Sequence, residues 1–319
     1  MPDSPPPHLH VVAAAILNPR GEVLVARRAD HAHQGGLWEF PGGKLEAGED
    51  AYAGLCRELD EEVGIRVAHA RPLMRVRHDY GDRAVLLDVW RVEAFTGEAH
   101  GREGQPVQWV APDHLAQLSM PAANRPIVQA VRLPDRYAIT GPFTDADDLL
   151  ERLEAALARG VRLIQLRARG LPEGILGDAA AEVVARCRRS QAKCLVNGSP
   201  ELAMALDADG VHLTAVRLAA LTERPLSAER LVGASCHTLA ELRQAERIGA
   251  DFAVLSPVNP TPSHPGVAVL GWPGFSRLVD HIAVPVYALG GVGPDDLDTA
   301  FAAGAQGVAG IRAWWEPES

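Results

Sequence analysis

The segment GGKLEAGEDAYAGLCRELDEEVGI, residues 42–65, crowds carboxylates into a short stretch and closes on Gly64-Ile65. Asp50 to Val63 has the composition of a helix, and Glu49-Asp50 put acid at its N-terminal end, where the helix dipole favours it. Glu58, Glu61 and Glu62 stand at i, i+3 and i+4 and so share one helical face. Leu55, Leu59 and Val63 form a neighbouring apolar stripe that can dock on a sheet. Three carboxylates held together repel one another at neutral pH unless a cation sits among them. An oxygen-only donor set points to Mg²⁺ or Mn²⁺. Because Mg²⁺ is commonly shared between carboxylates and substrate phosphates, the expected ligand is a polyphosphate. Gly42-Gly43 are expected to form a loop that approaches a ligand closely. Arg57 is placed to pair with Glu61 at i+4 or with Glu49. A solvated helix face rich in Glu is the alternative reading of the same residues.

Upstream, His10 to Leu17 and Glu22 to Arg27 read as strands joined by the turn Asn18-Pro19-Arg20-Gly21. Downstream, Ala84 to Ala94 and Val107 to Ala111 read as further strands and Pro126 to Arg132 as a closing helix. The rhythm changes after Arg132-Leu133-Pro134-Asp135. Strand-like runs then start at Tyr137, Val161, Lys193, Gly210, Leu231, Asp251, Val284 and Gly307. Helical stretches such as Asp145–Arg159, Leu239–Ile248 and Pro294–Ala303 lie between most of them. Eight strand-then-helix units predict a (β/α)₈ barrel, compact against the usual ~250 residues. The expectation is two domains, residues 1–133 and 134–319, which suits a 319-residue chain.

A net charge of −10 argues against a nucleic-acid polymer as partner, but not against a nucleotide whose phosphates are screened by metal. Cys56, Cys187, Cys194 and Cys236 form no C-x-x-C pair, which fits buried thiols in a reducing compartment. The polar, Pro-rich start MPDSPPPHLH lacks the order of a signal peptide, and no apolar run approaches the ~20 residues of a membrane span. A cytoplasmic protein without a membrane partner is therefore expected.

Gly43, Glu49, Arg57, Glu58, Leu59, Glu61, Glu62, Gly64 and Ile65 fill every fixed position of the pattern G-x5-E-x7-R-E-U-x-E-E-x-G-U, with U a bulky aliphatic residue. In this the segment resembles the Nudix hydrolases. The resemblance implies an α/β/α sandwich with a mixed sheet and metal-assisted hydrolysis of a nucleoside diphosphate linked to another group. Arg27-Arg28-Ala29-Asp30, Leu37 to Lys44, Arg102 to Pro106 and Pro121 to Pro126 further resemble the MutT branch, which removes oxidised guanine nucleotides. By that resemblance the protein would be an 8-oxo-dGTP diphosphatase that sanitises the nucleotide pool. Glu58, Glu61 and Glu62, with Glu103 as added ligand, would hold the metal, either Glu58 or Glu103 would be the base, and Arg57 would support them. Arg28 would contact phosphate, Gly42, Gly43 and Lys44 would bind substrate, and Arg83 would lie near base or ribose. Phe40 and Asn124 would form the base pocket. An amide offers the donor and acceptor that match O6 and N7–H of 8-oxoguanine, and N-capping the following helix is the plainer role for Asn124.

Ile164 to Arg167, Val196-Asn197, Asp209 to Leu213, Gly233 to Ser235, Pro260-Thr261 and Gly290 to Val292 resemble thiamine phosphate synthase and its TenI relatives. Against that pattern, Gly198 and Arg217 stand where metal-binding Asp residues are expected, and Arg169 and His264 replace Lys. These departures imply a barrel that binds a phosphate ligand without synthase activity. Its site would draw on Arg167, Ser235, Thr261, Ser263, Gly290, Gly291 and Arg312. An alternative overall reading gives the Nudix chemistry a thiamine-related diphosphate, with the barrel as binding or regulatory module.

Overall fold

The structure is a computed structural model that describes residues 9–31, 33–81, 83–167, 173–261 and 266–315. The chain divides into two compact units, Met1–Arg132 and Leu133–Ser319.

In the first unit the order is β1 (Leu9–Ile16), β2 (Val23–Arg27), β3 (Trp38–Glu39), β4 (Gly42–Lys44), α1 (Ala51–Val63), β5 (Arg66–Asp79), β6 (Ala84–Thr96), β7 (Val107–Val110) and α2 (Arg125–Arg132). Two sheets form, one ordered β4-β1-β6-β5 and one ordered β3-β2-β7. The first is mixed: β1 runs parallel to β6 and antiparallel to β4. Alternate residues Val12, Ala14 and Ile16 of β1 join Leu55, Leu59 and Val63 of α1 in one buried cluster. The small Ala14 lets the helix approach the sheet, so the stripe read from the sequence is the stripe that docks.

Sequence periodicity did not mark β5. It is an edge strand whose pairing with β6 shifts register between Val67 and His69, His69 and Ala70, and Pro72 and Met74. Each shift resets the in–out alternation, and Pro72 is tolerated because an edge strand need not donate on both sides. Gly42-Gly43 are also not the expected loop. They belong to β4, with Val12 opposite Gly43 and Ala13 opposite Gly42.

In the second unit eight strands close a parallel barrel: β8 (Arg136–Ile139), β9 (Leu163–Leu166), β10 (Lys193–Asn197), β11 (Gly210–Leu213), β12 (Leu231–Cys236), β13 (Phe252–Leu255), β14 (Val286–Ala288) and β15 (Gly307–Gly310). The barrel closes where β15 pairs with β8. Helices α3 (Ala146–Ala158), α4 (Glu173–Arg189), α5 (Pro200–Ala205), α6 (Ala215–Ala219), α7 (Leu239–Arg247), α8 (Gly271–Val279), α9 (Leu297–Ala302) and α10 (Arg312–Trp315) follow the strands in turn. Tyr137, Ile139, Leu163, Leu195, Phe252, Val254 and Tyr287 fill one buried cluster, and the opposite strand residues pack in another with the helices. Both faces are covered, which explains continuous apolar runs in place of alternation. Asp251 stands before β13 and not in it. Its buried carboxylate takes the Val232 N–H at 2.7 Å and pairs with Arg224 at 2.7 Å. The expected helix from Pro294 to Ala303 begins as a 3₁₀ turn, Pro294–Asp296, before α9. No helix among the described residues is long and apolar enough to cross a membrane.

Candidate active site

Helix α1 starts where Asp50 caps it: the carboxylate accepts the Tyr52 N–H at 2.9 Å and the Ala53 N–H at 3.3 Å. It stops at Gly64, whose φ of 74° is the left-handed turn that glycine adopts without strain. Between these ends Arg57 is the hub. Its guanidinium donates to Glu49 at 2.8 and 2.9 Å, to Glu58 at 2.9 Å, to Glu61 at 3.2 Å and to the Lys44 carbonyl at 3.1 Å. Both pairings expected for Arg57 are therefore present together. Hydrogen bonds from Arg57 and then from the Glu46 backbone hold the Glu49 carboxyl down at about 2.

Gly43 faces the Glu58 carboxylate so closely that a Cβ there would lie 2.0 Å from Oε2. A Cβ on Gly42, at φ 151°, would lie 2.1 Å from the Val12 carbonyl. The two glycines thus let a strand and a carboxylate come together, and Lys44 continues that strand into solvent.

Glu62 lies on the inner side. Its carboxylate accepts the Gly42 N–H at 2.8 Å. Burial, then repulsion from Glu39 and Glu103, raises it to about 7 against the Gly42 hydrogen bond. The segment after β6 is tied to the same residue: Arg102 N–H and Gln105 Nε2 both donate to the Glu62 carbonyl, at 3.0 and 3.1 Å. Gln105 also receives the Glu103 N–H at 3.0 Å, which fixes exposed Glu103 near Glu62.

The oxygen donors Glu58, Glu61, Glu62 and Glu103 suit a hard cation in their chemistry, and a cation would relieve the repulsion that raises Glu62. They are not assembled around one point. Among the described residues no group of three or more His, Cys, Asp or Glu is arranged to hold a metal ion. Arg57 supplies positive charge at Glu58 and Glu61.

Beside this cluster, Phe40 is buried and its N–H donates to Asn124 Oδ1 at 3.4 Å. Asn124 sits in the 3₁₀ turn Ala122–Asn124 and takes that bond from the β3–β4 segment, not from the amides of α2. The carbonyl oxygen keeps a second lone pair and the amide N–H₂ has no partner among the described residues. Arg28, expected at phosphate, donates to the His33 carbonyl at 2.9 Å and pairs with Glu39. Burial raises the Glu39 carboxyl, opposed by Arg28. Arg83 is exposed at the turn between β5 and β6, where its carbonyl accepts the Tyr80 N–H. Glu39 and Tyr80 were not singled out in the sequence. Tyr80, raised chiefly by burial, lies by the Ala123 backbone, Arg28 and Glu39.

In the barrel, Arg167 at the end of β9 exchanges backbone hydrogen bonds with the Thr140 hydroxyl, at 2.8 and 3.1 Å. Ser235 meets His212 at 2.9 Å. Gly290 and Gly291, at φ 96° and 62°, pack against residues 257–260, where a Cβ on either would meet Pro257 at 2.9 Å or the Pro260 carbonyl at 2.5 Å. Thr261 is half-buried and Arg312 exposed. Ser263, Arg169 and His264 lie outside the described residues. Gly198 follows β10, and exposed Arg217 in α6 acts on Glu201, whose carboxyl is lowered by backbone and Ser199 hydrogen bonds and, least, by that charge. A residue without side chain and a cation do not fit a divalent metal there.

Residues 136–314 match the family model for thiamine monophosphate synthase and residues 12–130 that for the NUDIX domain. A putative thiamine-phosphate synthase 2 of Aquifex aeolicus is 36% identical over 186 residues, 58% of this chain and 100% of that protein. The 8-oxo-dGTP diphosphatase of Escherichia coli is 37% identical over 124 residues, 39% of this chain and 96% of that protein. A solved structure from work on MutT of Aliivibrio salmonicida and Vibrio cholerae is similar at 41% identity. It covers 39% of this chain and 97% of that one, with a TM-score of 0.35.

Proposed function

The chain belongs to the Nudix family in its N-terminal unit and to the thiamine monophosphate synthase family in its C-terminal unit, and on that premise we propose that the first unit hydrolyses 8-oxo-dGTP to 8-oxo-dGMP and pyrophosphate. The observation that carries this reading is the pairing of two features: the carboxylate face of α1, set by Arg57 under Gly43, and the Asn124 amide beside Phe40. Glu58, Glu61 and Glu62, with Glu103, would hold Mg²⁺ or Mn²⁺. That ion, when bound, supplies charge neutralisation at phosphate and a more acidic water. Asn124 offers its amide N–H₂ to O6 and its second carbonyl lone pair to N7–H of the oxidised base. Guanine has an acceptor at N7 and leaves that lone pair opposed, which is a strong ground for discrimination. Glu62 is held on the inner side by the Gly42 N–H, and Glu58 or Glu103 would take the proton of the attacking water. Arg57 orients the Glu58 and Glu61 carboxylates.

The barrel, on this reading, binds a phosphate compound without making thiamine phosphate, because Gly198 and Arg217 offer no carboxylate to a metal. Its presence in the same chain favours a second reading, hydrolysis of a thiamine-related diphosphate by the Nudix unit. A panel of 8-oxo-dGTP, dGTP and thiamine diphosphate with Mg²⁺, and again with chelator, separates the two. The expected result is chelator-sensitive release of pyrophosphate with 8-oxo-dGTP preferred over dGTP. Preference for thiamine diphosphate would overturn the nucleotide assignment.

A further inference from the structure

Inside the barrel a polar chain crosses from β10 to β12 through residues that the proposed hydrolysis does not use. Asn197 Nδ2 donates to Gln165 Oε1 at 3.0 Å, and Gln165 Nε2 donates to the Tyr137 hydroxyl at 3.1 Å. That hydroxyl lies 3.0 Å from His212 Nδ1, and His212 Nε2 lies 2.9 Å from Ser235 Oγ. Tyr137, Gln165 and His212 are buried, whereas Asn197 and Ser235 are half-buried towards the C-terminal ends of their strands. Barrel ligands bind at that end. Gly233 makes room for the ring: a Cβ there would lie 2.9 Å from His212 Nδ1 and 2.5 Å from the Phe252 ring.

The chain has a direction. Both amides spend an N–H inward, so the Tyr137 oxygen receives a proton and its own hydrogen has His212 Nδ1 as its acceptor. Nδ1 is then the bare nitrogen, and the neutral ring carries its proton on Nε2, aimed at Ser235. Full burial, reinforced by the Arg167 charge, holds His212 down to about 3, which keeps the ring neutral. We infer that Tyr137 is a positioning residue that sets the His212 tautomer, so that Ser235 Oγ accepts the His212 Nε2–H and its own hydroxyl hydrogen is left for a ligand at the mouth of the barrel. The Ser235–His212 contact resembles a nucleophile and its base, but this tautomer leaves no lone pair to take the serine proton. The ligand class that fits offers an oxygen or nitrogen acceptor to Ser235 and an N–H or O–H to Asn197 Oδ1.

The test uses the full chain with ¹⁵N-labelled histidine and long-range ¹H–¹⁵N correlation at His212. A protonated, pyrrole-type Nε2 and a bare, pyridine-type Nδ1 at neutral pH are expected; a proton on Nδ1 would overturn the inference. Tyr137→Phe should shift the Nδ1 resonance by removing its donor, and an unmoved resonance counts against Tyr137. Should that variant not fold, a fluorophosphonate serine probe on the native chain gives an independent reading. Ser235 is expected to stay unlabelled, and labelling at Ser235 would reveal a base-activated nucleophile instead.

Discussion

Glu62 faces two demands at the scale of single residues. It accepts the Gly42 N–H, and it is charged only at the cost of burial beside Glu39 and Glu103. Glu62→Gln keeps an acceptor for Gly42 and removes the ionisable group. Turnover should therefore fall by about 10²- to 10⁴-fold while the circular dichroism spectrum stays native. A variant that keeps more than a tenth of the wild-type rate, roughly 1.4 kcal/mol of transition-state stabilisation, would remove Glu62 from the mechanism. Gly43→Ala tests the other side of the site. Its Cβ would sit 2.0 Å from the Glu58 carboxylate, so Glu58 must leave Arg57. A loss of rate larger than the loss of stability is expected, read from kcat beside a urea midpoint. Glu49 gives a pH test. Its folded value of about 2 lies below the ordinary 4.5, so its contribution is present above pH 4.5 and fades as pH falls towards 2. Glu49→Gln should flatten that part of the stability profile; an unchanged slope between pH 4.5 and 3 would show that Arg57 does not hold Glu49 in solution.

At the scale of elements, α1 is delimited by chemistry that the sequence spells out. Asp50 caps two amides and Gly64 supplies the left-handed exit. Asp50→Ala should cost about 1 kcal/mol, since two N–H groups lose their acceptor. Equilibrium urea unfolding of residues 1–133 checks it, and a cost near zero would show that water replaces the cap fully. Strand β4 is the instructive contrast. Gly42-Gly43 read as loop residues because glycine is rare in strands. Here β1 lies against one glycine and a carboxylate against the other, so only glycine fits. Likewise β5 was illegible because its bulges destroy the period by which strands are recognised.

For the whole molecule, the division at Arg132 and Leu133 predicts that residues 1–133 fold alone and keep most of the diphosphatase activity, since every carboxylate of that site precedes the break. Insolubility of that fragment, or its inactivity, would show that the barrel is required. The barrel should make no thiamine phosphate from a pyrimidine diphosphate and a thiazole phosphate, for want of a means to hold departing charge at Gly198 and Arg217. Chelator-sensitive multiple turnover would refute that. By itself the sequence determined the helix of carboxylates, its apolar docking stripe and the eight-fold strand–helix rhythm, because these rest on spacings along the chain and on residue types at helix ends. Only the tertiary structure decided that Arg28 pairs with Glu39, that Asn124 faces Phe40 and that His212 lies against Ser235. Those partners are separated by 11, 84 and 23 residues. No local spacing reports which distant group a side chain meets when the strands close.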